Sequence, residues 1–141
     1  MREAIEKAKA SFGRWNTAFN ARDMEGMVAE MHFPHRRLSG NNEFQVWRTE
    51  ADFRATRGDN ATVSLATQEW DHTATTSIEP VQSSAEKVHL AINQSRRRAD
   101  GTEYNAFQTL WIFTKMEGRW GVQFRSSFLL DPNPPSGDVS E

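Results

Sequence analysis

The chain has 141 residues, no cysteine, and a formal net charge of −2 with acids and bases interspersed. That length suits one domain with a real core, and the absence of cysteine removes a disulfide scaffold, a thiolate zinc site and a cysteine nucleophile while fitting a reducing, cytoplasmic setting. The charge balance builds no one-signed field of the kind a nucleic-acid or membrane-surface binder uses.

Ile5, Ala8, Phe12, Trp15 and Phe19 recur at intervals of three and four, which predicts a first helix with one apolar stripe. Met1 to Ala10 is charged and helix-forming, without an apolar run before a cleavage site, and no segment approaches the ~20 apolar residues of a membrane span. Asn20 to Asp23 breaks the first helix. Asp23 is an N-cap for a second, whose Met24, Met27, Val28 and Met31 share a face and which Pro34 is expected to end.

His35 to Leu38, the turn Ser39-Gly40-Asn41-Asn42 and Glu43 to Trp47 read as a short hairpin. Thr49, with Asp52 three residues on, opens a third helix. Gly58-Asp59-Asn60 interrupts it, and Ala61 to Trp70 is ambiguous. From Thr73 the period falls to two. Asp100-Gly101 is the strongest hairpin signal, leading into a strand from Thr102 to Lys115; Glu117-Gly118 then turns into a strand from Arg119 to Leu130. The expected organisation is one domain over 1–130 and a proline-rich tail over 131–141, extended or disordered. The class is α+β: three N-terminal helices packed on a strongly curved, antiparallel or mixed sheet.

Two-residue turns set strand register and hence sheet faces. With Asp100-Gly101 as a loop, Leu90 opposes Trp111, Ile92 opposes Thr109 and Gln94 opposes Phe107. With Glu117-Gly118 as the next, Trp111 opposes Phe124, Thr109 opposes Ser126 and Phe107 opposes Phe128. One face then carries Val88, Leu90, Ile92, Phe107, Trp111, Phe113, Val122, Phe124 and Phe128, with Gln94, Thr109 and Ser126 as its polar members. The other holds His89, Ala91, Asn93, Ala106, Gln108, Leu110, Ile112, Gln123, Arg125, Ser127 and Leu129. Being mixed, that second face suits a homodimer contact or plain solvent exposure.

The element order, the segment FGRWNTAFNARDMEGMVAEM from Phe12 to Met31, and the closing Gly118-Arg119-Trp120-Gly121-Val122 with Arg125-Ser126-Ser127-Phe128 resemble the nuclear transport factor 2-like superfamily over residues 3 to 130. The resemblance implies a cone-shaped, cystatin-like α+β roll with an apolar pocket, as in ketosteroid isomerase and SnoaL-like cyclases. It carries fold signatures, and function does not follow from fold. Where ketosteroid isomerase has its oxyanion acid this chain has Trp111, its helix-one tyrosine falls near Trp15, and its general base falls near Leu38 or Ser39. Isomerase chemistry of that kind therefore lacks its groups. Scytalone dehydratase-like chemistry would need more tyrosines than Tyr104. Epoxide hydrolase-like chemistry would need an interior acid, which only a helix or loop residue such as Asp52 or Asp71 could supply.

His32-Phe33-Pro34-His35 offers two imidazoles, but Pro34 denies them a helical spacing and no third metal ligand is near; no metal site and no cofactor are expected. Asp71-His72 at the sheet entry could form a base, although neighbours on a strand point to opposite faces, so the pair is not expected to touch. The candidate catalytic residues are His72 and His35. The candidate ligand-binding residues are Trp15, Phe19, Phe33, Trp47, Phe53, Trp70, Leu90, Thr109, Trp111, Phe124 and Ser126. Arg125 is expected on the outer face, and Arg96-Arg97-Arg98 as a solvated run. Two readings stand. In one, a small apolar ligand occupies the cone, with lyase, isomerase or hydrolase chemistry through His72 or His35. In the other, a noncatalytic binding or dimerisation module has its cavity plugged by tryptophan.

Overall fold

The computed structural model describes residues 2–57 and 69–129. Helix α1 (Arg2–Asn20) buries Ala8, Phe12, Trp15 and Phe19 of the expected stripe, leaves Ile5 partly buried, and adds Ala4, Ser11 and Ala18. Helix α2 (Met24–Val28) starts at Asp23, whose Oδ1 accepts from the Gly26 N–H at 3.0 Å. It is shorter than its apolar pattern suggests. Strand β1 (Met31–Leu38) begins at Met31 and carries Pro34 in its middle, after a cis Phe33–Pro34 peptide. The backbone ladder from β1 to its parallel neighbour is irregular between Met31 and Arg36, so a residue without an N–H sits where no regular ladder bond is made.

Strand β2 (Phe44–Trp47) pairs back on β1, completing the expected hairpin. Helix α3 (Glu50–Arg57) is capped by Thr49, whose Oγ1 accepts from the Asp52 N–H at 3.1 Å. The Gly58-Asp59-Asn60 break, most of the ambiguous segment after it and the tail lie outside the described residues. The meander follows as β3 (His72–Ser83), β4 (Lys87–Arg97), β5 (Glu103–Met116) and β6 (Arg119–Ser127). Among the described residues, six strands form one mixed sheet in the order β2-β1-β6-β5-β4-β3, with β1 and β6 parallel and the other neighbours antiparallel, and α1 lies against β3, β4 and β6.

From Lys87 to Arg96 the β4–β5 register is the one expected from Asp100-Gly101, with Leu90 facing Trp111, Ile92 facing Thr109 and Gln94 facing Phe107, but next to the turn it shifts by one residue, so that Arg97 faces Glu103 and the Arg98 N–H bonds the Thr102 carbonyl. The β5–β6 register follows its turn only from Met116 to Phe113, which faces Val122. A bulge between Ile112 and Phe113 inserts Gln123, after which Ile112 faces Phe124, Trp111 faces Arg125 and Thr109 faces Ser127. Because side chains alternate, one extra residue reverses every later assignment on β6.

Phe124 and Ser126 therefore turn to the outer face, against the expectation, while Arg125 and Ser127 turn inward at 1% and 3% exposure. The same shift leaves Phe128 69% exposed and buries Leu129. Arg96 also departs from the solvated-run reading. Strand alternation places it inside, with its guanidinium 5.5 Å from the Phe107 ring, while Arg98 lies outside over Tyr104 at 5.3 Å.

Candidate functional site

The interior between α1 and the sheet is divided. Phe12, Val88, Leu90, Ile92, Phe113 and Val122 form a wholly apolar half. Beside it, His35, Arg37, Gln94, Arg96, Thr109, Arg125 and Ser127 are all buried at 3% exposure or less. Burying a guanidinium removes several kcal/mol of hydration that only good partners restore. A fold needing nothing but a core would place aliphatic side chains here.

Arg125 is the centre of this polar half. Its Nε donates to His35 Nε2 at 3.0 Å, and its guanidinium carbon lies 5.6 Å from the Trp15 ring and 5.5 Å from the Trp111 ring. His35 Nδ1 donates to the Val122 carbonyl at 3.1 Å. A nitrogen facing a carbonyl must carry the hydrogen, and one facing an N–H must carry the lone pair, so His35 is neutral with its proton on Nδ1. Both nitrogens are engaged. Arg37 is the cross-strand neighbour of Arg125 on the same face, and its Nη1 donates to Gln45 Oε1 at 3.3 Å.

Tryptophans wall the site. Trp15 meets Trp111 edge to face at 4.8 Å and stacks on Phe19 at 5.1 Å, and Phe12 meets Trp111 at 4.9 Å. Trp111 Nε1 donates to Thr109 Oγ1 at 3.1 Å, and that hydroxyl donates in turn to the Ser126 carbonyl at 3.3 Å. Trp15 differs: its Nε1 is buried with no hydrogen-bond partner among the described residues. A second aromatic group from β1, β2 and α3 flanks His35, with Trp47 5.9 Å from its ring, Phe33 at 6.2 Å, and Trp47 against Phe53 at 5.3 Å.

Of the sequence-predicted residues, the structure gathers Trp15, His35, Thr109 and Trp111 around Arg125, with Phe33, Trp47 and Phe53 adjoining. Leu90 belongs to the apolar half. Trp70 packs on Phe19 at 5.3 Å, its Nε1 donating to Thr73 Oγ1 and Arg22 lying 4.3 Å from its ring. His72 stands apart, half-exposed at the start of edge strand β3, where its Nδ1 lies 2.8 Å from Asp71 Oδ2. The two do touch, contrary to strand alternation, because Asp71 precedes the strand and is free of its pleat. Arg37, Arg96 and Arg125 were not legible as interior residues. For Arg96 the hint was strand alternation alone, which puts it on the face of Leu90, Ile92 and Gln94.

His32 and His35 occupy separate environments and share no ligand geometry. His32 Nε2 donates to the Arg119 carbonyl at 2.8 Å and its Nδ1 accepts from Arg119 Nη2 at 3.1 Å. Burial is the main reason its pKa lies below the ordinary 6.5, against the raising effect of the carbonyl bond. Two surface grooves, about 660 Å³ between α1 and α2 and about 520 Å³ between α1 and the β5–β6 turn, lie outside the sheet–helix interior. Glu30, on the rim of both, is already held by Ser11 at 2.7 Å and Arg14 at 2.8 Å.

No protein-family model matches the sequence, and no curated protein matches it. Solved structures do. An NTF2-like protein with a cystatin-like fold from Novosphingobium aromaticivorans superposes with a TM-score of 0.72 at 13% identity, over 99% of this chain and 90% of that one. A ketosteroid isomerase-like protein from Erwinia carotovora atroseptica gives 0.63 at 21% identity, over 90% and 96%. A cystatin-like protein of unknown function from Nostoc punctiforme gives 0.66 at 10% identity, over 92% of each chain. The chain thus has the NTF2-like, cystatin-like α+β fold that its sequence resembles.

Proposed function

We propose that the chain is a small-molecule-binding protein whose ligand enters the interior beside Arg125, between α1, β1 and the bulged half of β6. The observation that carries this reading is the Arg125–His35 pair held between Trp15 and Trp111. Aromatic walls with a few convergent polar groups characterise ligand sites, and the pair lies between two such walls. Phe33, Trp47 and Phe53 extend the apolar wall.

Binding rather than acid–base turnover fits the histidines. His35 has no lone pair left to take a substrate proton while Arg125 holds Nε2, so its role is to position Arg125. His72, although paired with Asp71, stands at the sheet edge. The test is thermal denaturation against a small-molecule library, with hits repeated on Trp111→Phe and His72→Ala. The reading expects hits whose stabilisation weakens in Trp111→Phe and persists in His72→Ala. Hits abolished by His72→Ala, or an absence of hits, would contradict it.

We also propose that a second copy packs on the outer sheet face. Leu38, Leu110, Ile112 and Phe124 are only half-buried there, and Phe44 (54% exposed), Val46 and Phe128 continue the apolar surface. An isologous dimer would cover them.

A further inference from the structure

We infer that His32 and Arg119 form a proton-operated clasp, in which a proton taken up by His32 releases the Arg119 side chain and frees the end of α2 and the groove beside it. The device stands apart from the interior around Arg125. His32, the second residue of β1, is 4% exposed and is bonded at both nitrogens by one residue. Its Nε2 donates to the Arg119 carbonyl at 2.8 Å, and its Nδ1 accepts from Arg119 Nη2 at 3.1 Å. That bonding needs the neutral ring with its hydrogen on Nε2. The same guanidinium donates to the Ala29 carbonyl at 2.6 Å and to the Met31 carbonyl at 3.1 Å. Ala29 caps the C-terminus of α2, so Arg119 ties the end of that helix and the entry to β1 onto the start of β6.

A proton on Nδ1 turns the acceptor into a donor facing another donor, and it sets two cations in contact. Packing decides which of the two yields. The imidazolium keeps its Nε2 bond to the Arg119 carbonyl, and its ring lies so close on Gly121 that a Cβ there would come within 3.0 Å of His32 Cδ2. The Arg119 side chain is exposed and can swing into water. Its departure leaves the Ala29 and Met31 carbonyls to solvent, beside the groove of about 520 Å³ that Arg119 lines with Lys7, Ala29 and Trp120. The Val122 N–H bond to the Glu30 carbonyl at 2.9 Å uses no group that titrates, so β1 stays joined to β6 and the opening is local.

The surroundings of His32 set the direction. Burial and the Arg119 charge oppose protonation, the Arg119 and Thr114 carbonyls and the Glu117 carboxylate favour it, and the balance holds the pKa below the ordinary 6.5. Across the groove α1 presents Lys7 and Arg14, while Glu30 is held by Arg14 and Ser11. The clasp is therefore closed at neutral pH and opens as the pH falls through the folded value of His32.

The experiment measures residue-resolved amide hydrogen exchange on the full chain at about pH 7.5 and about pH 5, on either side of the ordinary histidine value, as protection factors corrected for the intrinsic pH dependence. The amides of Ala29 and Glu30, which bond the Glu25 and Met27 carbonyls, report the end of α2, and that of Val122 reports the strand junction. The expected result is a several-fold loss of protection at Ala29 and Glu30 at the lower pH, with Val122 and the β3–β4 ladder unchanged. His32→Gln should abolish the loss, and Arg119→Gln should show it at both pH values. The clasp is overturned by a loss that persists in His32→Gln, by no loss although the His32 ring titrates, by a ring still neutral at the lower pH, or by an equal loss throughout the chain. If His32→Gln fails to fold, the wild-type chain still decides, because the protection change and the His32 Cε1–H chemical shift must then share one midpoint.

Discussion

Arg125 and His35 hold each other in single states: the guanidinium donates Nε–H to His35 Nε2 at 3.0 Å, and the imidazole, anchored on the Val122 carbonyl, stays neutral. The pair joins β1 to β6 in a stretch where their backbone ladder is irregular. His32 and Gln123 act likewise, through the Arg119 carbonyl at 2.8 Å and the Pro34 carbonyl at 3.2 Å. Side chains thus carry the junction between the two parallel strands, and the same side chains shape the interior.

The pair should be energetically coupled. His35→Phe leaves a buried donor of Arg125 without its acceptor, and Arg125→Met leaves a buried acceptor on His35, each costing about 1–3 kcal/mol. The double variant should lose less than the sum, with a coupling of about 1 kcal/mol or more in a urea-denaturation cycle. Additive losses would mean that the two side chains act independently.

His32 should make stability pH-dependent. Its folded pKa lies below the ordinary 6.5, chiefly through burial, so the unfolded chain takes up a proton there while the folded one stays neutral. Stability should therefore fall as pH drops below about 6.5 and level off once the folded pKa is passed. His89 is shifted the same way by burial and by Lys87 and adds to the slope. Comparing melting temperature at about pH 7.5 and about pH 5.5, His32→Gln should flatten the difference and His89→Gln should flatten the remainder. An unchanged slope in the double variant would assign the effect elsewhere.

Gly40 should not tolerate a side chain. A Cβ there would come within 2.4 Å of the Phe128 carbonyl oxygen and 2.6 Å of its carbon, both backbone atoms, and Gly40 N–H also bonds the Leu129 carbonyl at 2.8 Å. Gly40→Ala is predicted to destabilise by about 1–3 kcal/mol, as overpacking does. Gly13→Ala, with nothing within 4 Å of the new Cβ, is the control and should be neutral or slightly stabilising.

The outer sheet face should hold two copies together. Leu110→Lys, or Phe124→Lys at a residue the bulge turns outward, is predicted to convert a dimer to a monomer in light scattering without changing the circular dichroism spectrum. A wild-type chain that is monomeric at high concentration would contradict the placement.

Much of the fold is legible in the sequence because its signals are local. The stripe from Ile5 to Phe19 gives α1, Thr49 and Asp52 give the start of α3, and Asp100-Gly101 gives the β4–β5 pairing from Lys87 to Arg96. The site was half legible. Thr109 and Trp111 follow from face assignment, Trp15 from the helical stripe and His35 from the histidine cluster, whereas Arg125 does not follow. Its inward turn depends on one bulged residue, Gln123, with apolar Val122 and Phe124 on either side, so alternation reads equally well in both registers. The end of α2 was misjudged because Met27, Val28 and Met31 fit a helical face and also fit a helix passing into a strand. What settles it is the long-range pairing of Met31 with Val122.

The most direct test of interior binding is the tryptophan side-chain region of a ¹H–¹⁵N correlation spectrum, with the Trp15 Nε1–H resonance assigned by its loss in Trp15→Phe. Trp15 Nε1 is buried without a hydrogen-bond partner among the described residues, whereas those of Trp70 and Trp111 are hydrogen-bonded within the protein. Adding a ligand that raises the melting temperature should move the Trp15 resonance most and shift it downfield as it gains an acceptor. A ligand that binds while the Trp15 resonance stays in place would contradict a binding site beside Arg125.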